Sequence, residues 1–331
     1  MPTSVKPPLS NLPMFATLLL LSLFFPWRVL AQEVILFEAA GIHMESAGGW
    51  VAIEKGFFGR VKVLPGGSGT SPVQKVADSV RAGQIAFGLD LPENILRARE
   101  REGIDLVAVS VDFQISPMRI ISWHPVKSKR DLKGDIAIWP GYEAKAKCAV
   151  GKGWEKQLRI QNQGGDLKPW LQGTWPMASA MTYHELITAQ REVKKMGKKF
   201  YTIDYPSLGI DWAENVLFTT GEIVRTYPEI VQSLVTGRYR GFQWAFDHPR
   251  ETFEILKRLD ERVEFVREMD ALAPLKALMV TVDTKRQGFG YLHPKKWENI
   301  ARDMFRAGLI DRMPDVKKAY TERFPSGVMP R

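Results

Sequence analysis

Three short segments of the sequence set aromatic rings or amides beside carboxylates: Trp139, Tyr142 and Glu143; Tyr183, His184 and Glu185; and Asp90, Glu93 and Asn94. With His43, Trp50 and the run Gly67, Ser68, Gly69 and Thr70, they supply what holding a small ligand requires. That is a face to stack on and a few directional hydrogen bonds in a largely apolar cleft. Tyr183 suits stacking, and Glu185 can accept from an exocyclic amine. Plainer roles are open to the same residues. Trp50 would pack a helix on a sheet, Asp90 would cap a helix opening at Pro92, and Glu143 would be a first-turn acid favoured by a helix dipole. Ser68 and Thr70 would shape a turn. Glu143 and Glu185 would form an acid–base pair if a fold brought them face to face.

Motifs for covalent, dinucleotide and metal chemistry are missing from the sequence. Gly66-Gly67-Ser68-Gly69-Thr70 lacks the last glycine of a nucleophile elbow, and Pro72 stands where a dinucleotide fingerprint needs glycine. His43, His124, His184, His248 and His293 occur singly, with no paired spacing and no cysteine partner. The one cysteine, Cys148, excludes an internal disulfide and reads as a small buried residue. No cofactor and no metal are expected, and the balance favours binding over catalysis.

The elements that must position these residues follow from periodicity. Val61 to Leu64 alternates as a strand, Val73, Val76, Ala77 and Val80 share a helical face, and Ile85 to Leu89 is a short apolar run. A glycine-rich loop, Pro65 to Thr70, joins the first two. This βαβ unit places helix N-termini at the carboxyl ends of parallel strands, where small ligands sit. A helix from Ser46 to Phe58 precedes it, with Ser46 as its cap. Strands at Glu33 to Phe37, Leu106 to Phe113, Met118 to Trp123, Asp135 to Trp139, Met177 to Met181, Phe200 to Ile203 and Val216 to Thr219 alternate with helices. After residue 219 helices dominate, with Pro228 and Pro249 at first helical positions and a core stripe through Ile230, Val231, Leu234, Tyr239, Phe242, Trp244, Ala245 and Phe246.

The apolar run Met14 to Phe25, preceded by Lys6 and followed by Val29-Leu30-Ala31, is a cleavable targeting segment, so the mature chain begins near Gln32. Its loss removes Lys6 and Arg28 and no acid, taking the formal charge from +9 to +7. The basic residues are scattered without interleaved aromatics, so no nucleic-acid partner is expected. About 300 mature residues suffice for two domains. The reading is α/β: two lobes joined by two hinge strands, with residues 32–121 and 212–331 forming lobe 1 and 122–211 forming lobe 2.

Several pieces, in this order, resemble a known group: Val51-Ala52-Ile53-Glu54-Lys55-Gly56-Phe57-Phe58, the loop Pro65 to Thr70 with Pro72-Val73-Gln74, Phe87-Gly88-Leu89-Asp90 with Pro92-Glu93-Asn94, and Phe113-Gln114-Ile115-Ser116-Pro117. Later come Asp131-Leu132-Lys133-Gly134, Ala180-Met181-Thr182-Tyr183-His184-Glu185, Val216-Leu217-Phe218-Thr219-Thr220 and Tyr320-Thr321. The chain is similar to the periplasmic solute-binding proteins of ABC importers related to thiamine pyrimidine synthase and to aliphatic-sulfonate binders. The resemblance implies a type II periplasmic-binding-protein fold and a periplasmic monomer that hands a small heterocycle to an inner-membrane ABC permease. A thiamine pyrimidine precursor or a flavin is the implied ligand; a sulfonate- or nitrate-type anion is the alternative. The synthase branch implies an enzyme with a lysine-bound pyridoxal phosphate. Asp90 and Asn94 stand at the positions of its lysine and histidine, and the segment from Trp212 to Phe218 has none of its cysteines. Ala40 replaces a tryptophan of the thiamine-precursor binders.

Overall fold

The computed structural model describes residues 32–38, 41–68, 72–164 and 166–327, together with Met1. The expected targeting segment, apart from Met1, and Ala40 lie outside the described residues. Four strands open the chain: β1 (Gln32–Glu38), β2 (Val61–Ser68), β3 (Ala86–Asp90) and β4 (Leu106–Phe113). Five follow as β5 (Met118–Ser122), β6 (Gly134–Ile138), β7 (Leu158–Asn162), β8 (Met177–Met181) and β9 (Tyr201–Asp204), and β10 (Glu214–Thr220) is the last.

They form two five-stranded sheets, ordered β2-β1-β3-β10-β4 and β7-β6-β8-β5-β9. β1 runs parallel to β3, and β10 antiparallel to β3 and β4. In the second sheet β6 is parallel to β7 and β8, and β5 is antiparallel to β8 and β9. The sheets therefore exchange strands: β5 enters the second directly after β4, and β10 enters the first directly after β9. Two crossings result, at 114–117 and 205–213. The sequence reading divided the lobes at 121/122, but β5 lies wholly in the second sheet, with Ile120 opposite both Ser179 and Ile203. An apolar strand of this length suits either sheet, and its partners are remote in sequence.

Burial extends over both faces of the central strands β3 and β8 and of β4 at the edge of the first sheet. Every residue of β3, β4 and β8 is buried, the pattern of strands covered by helices on each side. On the first sheet lie α1 (Ala47–Glu54), α2 (Pro72–Arg81) and α3 (Pro92–Arg97); α4 (Ala144–Val150), α5 (Lys168–Leu171) and α6 (Glu185–Lys195) accompany the second. The remaining helices are α7 (Gly221–Thr226), α8 (Pro228–Asp247), α9 (Pro249–Leu259), α10 (Phe265–Met279), α11 (Val282–Gln287) and α12 (Pro294–Arg306). As expected, α2 buries Val73, Val76, Ala77 and Val80, and Pro228 and Pro249 open α8 and α9.

Three local expectations need correction. The helix read from Ser46 to Phe58 is α1 preceded by a 3-10 turn over Met44–Ser46, and the Ser46 side chain does not cap it. Ser46 Oγ instead donates to the Gly41 carbonyl at 2.7 Å and accepts from the Trp50 indole at 3.1 Å. Gly67 and Ser68, read as loop, end β2. Of the stripe on α8, Trp244 and Phe246 are only half-buried; Trp244 carries the Lys55 ammonium 4.3 Å over its ring.

Helices α1 and α8 meet along glycines. A Cβ on Gly241 would stand 2.0 Å from the Gly48 carbonyl oxygen, and one on Gly48 would stand 2.3 Å from the Phe242 ring. Backbone cannot yield as a flexible side chain does, so Gly241→Ala must push the helices apart. It is expected to cost about 1–3 kcal/mol, read as a lower melting temperature by circular dichroism. An unchanged melt would mean that the seam is loose.

Candidate functional site

The carboxyl ends of β1 and β3 in one sheet, and of β6 and β8 in the other, lead into the N-terminal turns before α1, α3, α4 and α6. Residues from all four turns meet. The Tyr183 hydroxyl acts on the Glu45 carboxylate, and its ring lies 6.0 Å from that of Phe113, tilted by 47°. Burial pushes both tyrosine phenols well above the ordinary value, and carboxylates add to it: Glu214, Glu45, Asp90 and Glu93 act on Tyr142, and Glu45 and Glu214 on Tyr183. Two expected site residues, Tyr142 and Tyr183, thus sit together in an acidic field. Glu45, which the sequence reading passed over, joins them, and burial pushes its own carboxyl up. It carries no local motif; only the contact from Tyr183 identifies it.

Asp90 is buried at the start of α3, where Oδ1 accepts from the Leu91 amide at 2.7 Å and from Asn94 Nδ2 at 2.8 Å. Burial raises its carboxyl to about 6. Asn94 also accepts from Arg97 at 3.2 Å, so it is committed to its own helix. Glu93 is fully buried; Oε1 lies 3.3 Å from Lys145 Nζ, while Oε2 has no hydrogen-bond partner. Burial pushes the Glu93 carboxyl up, with Lys145 opposing. Lys145 is fully buried on α4, 3.1 Å from Glu214 Oε2 and 5.6 Å over the Trp212 ring. Burial works to lower its ammonium, and Glu214 and Glu93 more than reverse that. Ser116, in the first crossing, donates to Glu214 at 2.6 Å. Lys145 is the main residue that sequence reasoning missed, since a lysine in a short polar helix reads as solvated.

The other expected residues are engaged with further groups of the protein. Glu185 is buried, accepting from the Met181 amide at 2.9 Å and lying 3.0 Å from His184 Nδ1. Burial works upward on it, yet His184 and Met181 hold its carboxyl below the ordinary value. Glu143 accepts from the Gly141 amide at 3.0 Å. The Trp139 amide donates to Ser179 Oγ at 3.4 Å, and His43 Nδ1 lies 3.3 Å from Glu268. Cys148 is half-buried, with its thiol pushed up by burial, so it is a poor nucleophile.

A cavity of about 200 Å³ lies against the first sheet, somewhat smaller than the ~300–1,000 Å³ of typical small-ligand pockets. Trp50 and Gly67, both expected site residues, line it together with Glu38. Gly69 and Thr70 lie outside the described residues, and of Ser68 only the backbone is described. Glu38 is 3.0 Å from Arg238, which α8 carries into the core and which also pairs with Asp112 at 2.6 Å. Burial raises the Glu38 carboxyl to about 7, with Arg238 opposing and Asp112 and Glu45 adding. Among the described residues, no group of three or more His, Cys, Asp or Glu is arranged to hold a metal ion.

Known proteins share this architecture. Riboflavin-binding protein RibY of Chloroflexus aurantiacus is 21% identical over 316 residues, covering 89% of this chain and 87% of that protein. The periplasmic aliphatic sulphonate binding protein SsuA from Escherichia coli superposes with a TM-score of 0.62 at 12% identity, over 91% of this chain and 96% of its own. A mutant of DSZB in complex with biphenyl-2-sulfinic acid, a desulfurization enzyme, gives 0.54 at 12% identity over 87% and 96%. The expected periplasmic-binding-protein fold is therefore present, a fold on which both binding proteins and an enzyme are built. With residues 43–252 matching its model, the chain belongs to the NMT1/THI5-like family.

Proposed function

We propose that the chain is the periplasmic substrate-binding component of an ABC importer, freed by cleavage of residues 1–31. Its two sheets close about the crossings at 114–117 and 205–213 on a small nitrogen heterocycle. The observation that carries this reading is the Tyr183 ring of the second sheet's layer lying 6.0 Å from Phe113 of the first sheet, with carboxylates of the first sheet's layer raising the phenols of both Tyr183 and Tyr142. Rings to stack on and carboxylates to accept N–H bonds suit a heterocycle such as a thiamine pyrimidine precursor or a flavin. They oppose a sulfonate, which would be desolvated among like charges. The name of RibY supports the same side.

An enzyme of the synthase type fits poorly. Asp90 and Asn94 cannot form a Schiff base, and the one lysine buried here, Lys145, is held as an ammonium between two carboxylates, whereas a Schiff-base lysine must shed its proton. Thermal shift of the mature chain against pyrimidines, flavins, purines and sulfonates tests the proposal. A heterocycle at a hundredfold its Kd adds about 2.7 kcal/mol of stability, and Tyr183→Ala is expected to abolish that gain. A shift with sulfonates alone would replace the heterocycle with the anion; a covalent pyridoxal adduct absorbing in the visible would restore the enzyme.

A further inference from the structure

We propose that the cavity beside Trp50 holds a flat heteroaromatic ring bearing positive charge, that Glu38 selects for that charge, and that residues of the first sheet's layer suffice for it. This rests on the reading of the chain as a small-molecule receptor and names the chemistry of its ligand.

All the described lining residues come from β1, β2, α1 and the turn between β1 and α1. The walls are apolar, from Leu36, Ile42, Ile53 and Pro65. The Trp50 indole N–H is tied to Ser46 Oγ at 3.1 Å, which fixes the ring that a flat ligand would meet. Gly49 keeps the way to Glu38 open: a Cβ there would stand 3.2 Å from Glu38 Oε1 and 2.9 Å from the Arg238 guanidinium.

Charge decides the occupant. Glu38 is the sole charged group among the described lining residues. Its partner Arg238 is shared with Asp112, to which Nε and Nη2 both donate. One guanidinium thus serves two carboxylates, and the ionised trio carries one net negative charge against the cavity wall. A cation gains from that charge and from the indole face; an anion of the same shape meets it uncompensated. Arg238 from α8, Asp112 from β4 and Glu45 from the turn before α1 all act on Glu38, whose carboxyl ionises near 7. Cation binding should therefore strengthen between pH 6 and pH 8.

The test titrates the whole chain with three rings of similar size: 1-methylnicotinamide, a permanent cation, neutral nicotinamide, and anionic nicotinate, read by calorimetry and tryptophan quenching at pH 8. The cation is expected to bind about tenfold or more tighter than nicotinate. Glu38→Gln should cost the cation about tenfold, leave nicotinamide within about threefold, and remove the rise between pH 6 and pH 8. Ile53→Lys places a positive charge on an exposed part of the lining without touching the trio, so it should weaken the cation even if Glu38→Gln folds poorly. Equal losses for cation and neutral ring, nicotinate binding as tightly as the cation, or no binding by any probe would each overturn the proposal. If the probes fail while a flavin or sulfonate still raises the melting point, the receptor reading survives without this one; if nothing shifts the melt, both fall.

Discussion

Arg238→Met is expected to destabilise the folded chain by about 3–5 kcal/mol at pH 8 and by clearly less at pH 5. The substitution keeps most of the volume but strips the cation from two buried carboxylates, Glu38 and Asp112. A buried ion left without its partner bears a large desolvation cost, which the Asn215 amide, donating to Asp112 Oδ2 at 2.6 Å, offsets only in part. The sign of the pH effect follows from linkage. In the wild type burial raises Glu38 from 4.5 to about 7 and raises Asp112 as well. Stability from a carboxyl so raised is fully present below its unfolded value and lost as pH rises through the folded one, because only the unfolded chain then ionises freely. Without Arg238 both carboxyls rise further, so more of the neutral range falls where that stability is gone. Urea unfolding at the two pH values measures it, and equal deficits would refute the account. Adding Glu38→Gln and Asp112→Asn to Arg238→Met should recover much of the loss, since the cost lies in unpaired charge rather than in the missing side chain.

What the sequence made legible was periodic or local. The unit from β2 to β3 could be read because α2 must bury a stripe of Val73, Val76, Ala77 and Val80, and the run Ile85 to Leu89 is apolar as a buried strand requires. The placement of Tyr142 and Tyr183 could be read because each sits between a strand end and a helix start, the position at which doubly wound sheets in general form a crevice. Glu185 carried a similar signal, but its oxygens are occupied by the Met181 amide and the His184 ring, a local choice that composition does not reveal. Long-range pairing was out of reach. Whether β5 joined one sheet or the other depended on β8 and β9, and the charge on Glu38 acquires meaning only beside an arginine two hundred positions away. Lys145 is the sharpest case: the run Lys145-Ala146-Lys147 looks like a solvated helix face until Glu93 and Glu214 arrive from elsewhere in the chain.

Lys145→Met is the second large effect, expected at about 3–5 kcal/mol, and it reaches beyond stability. Lys145 rides on α4 beside the second sheet, whereas Glu93 opens α3 and Glu214 opens β10 on the first. Ser116 in one crossing donates to Glu214, and Trp212 in the other lies under the ammonium. Both connections between the sheets therefore converge on this one cation, so a receptor that opens and closes about them must turn around Lys145 or break its pairs. Removing the ammonium leaves two buried carboxylates facing each other, and their repulsion should loosen the crossings. Amide hydrogen exchange at 114–117 and 205–213 is expected to quicken in Lys145→Met by more than in Gly241→Ala, which weakens the seam between α1 and α8 instead. Lys145→Met combined with Glu93→Gln and Glu214→Gln should regain stability, because a neutral trio needs no counterion. If Lys145→Met speeds exchange no more at the crossings than along α8, the cation is a packing element of the core and the pivot lies elsewhere.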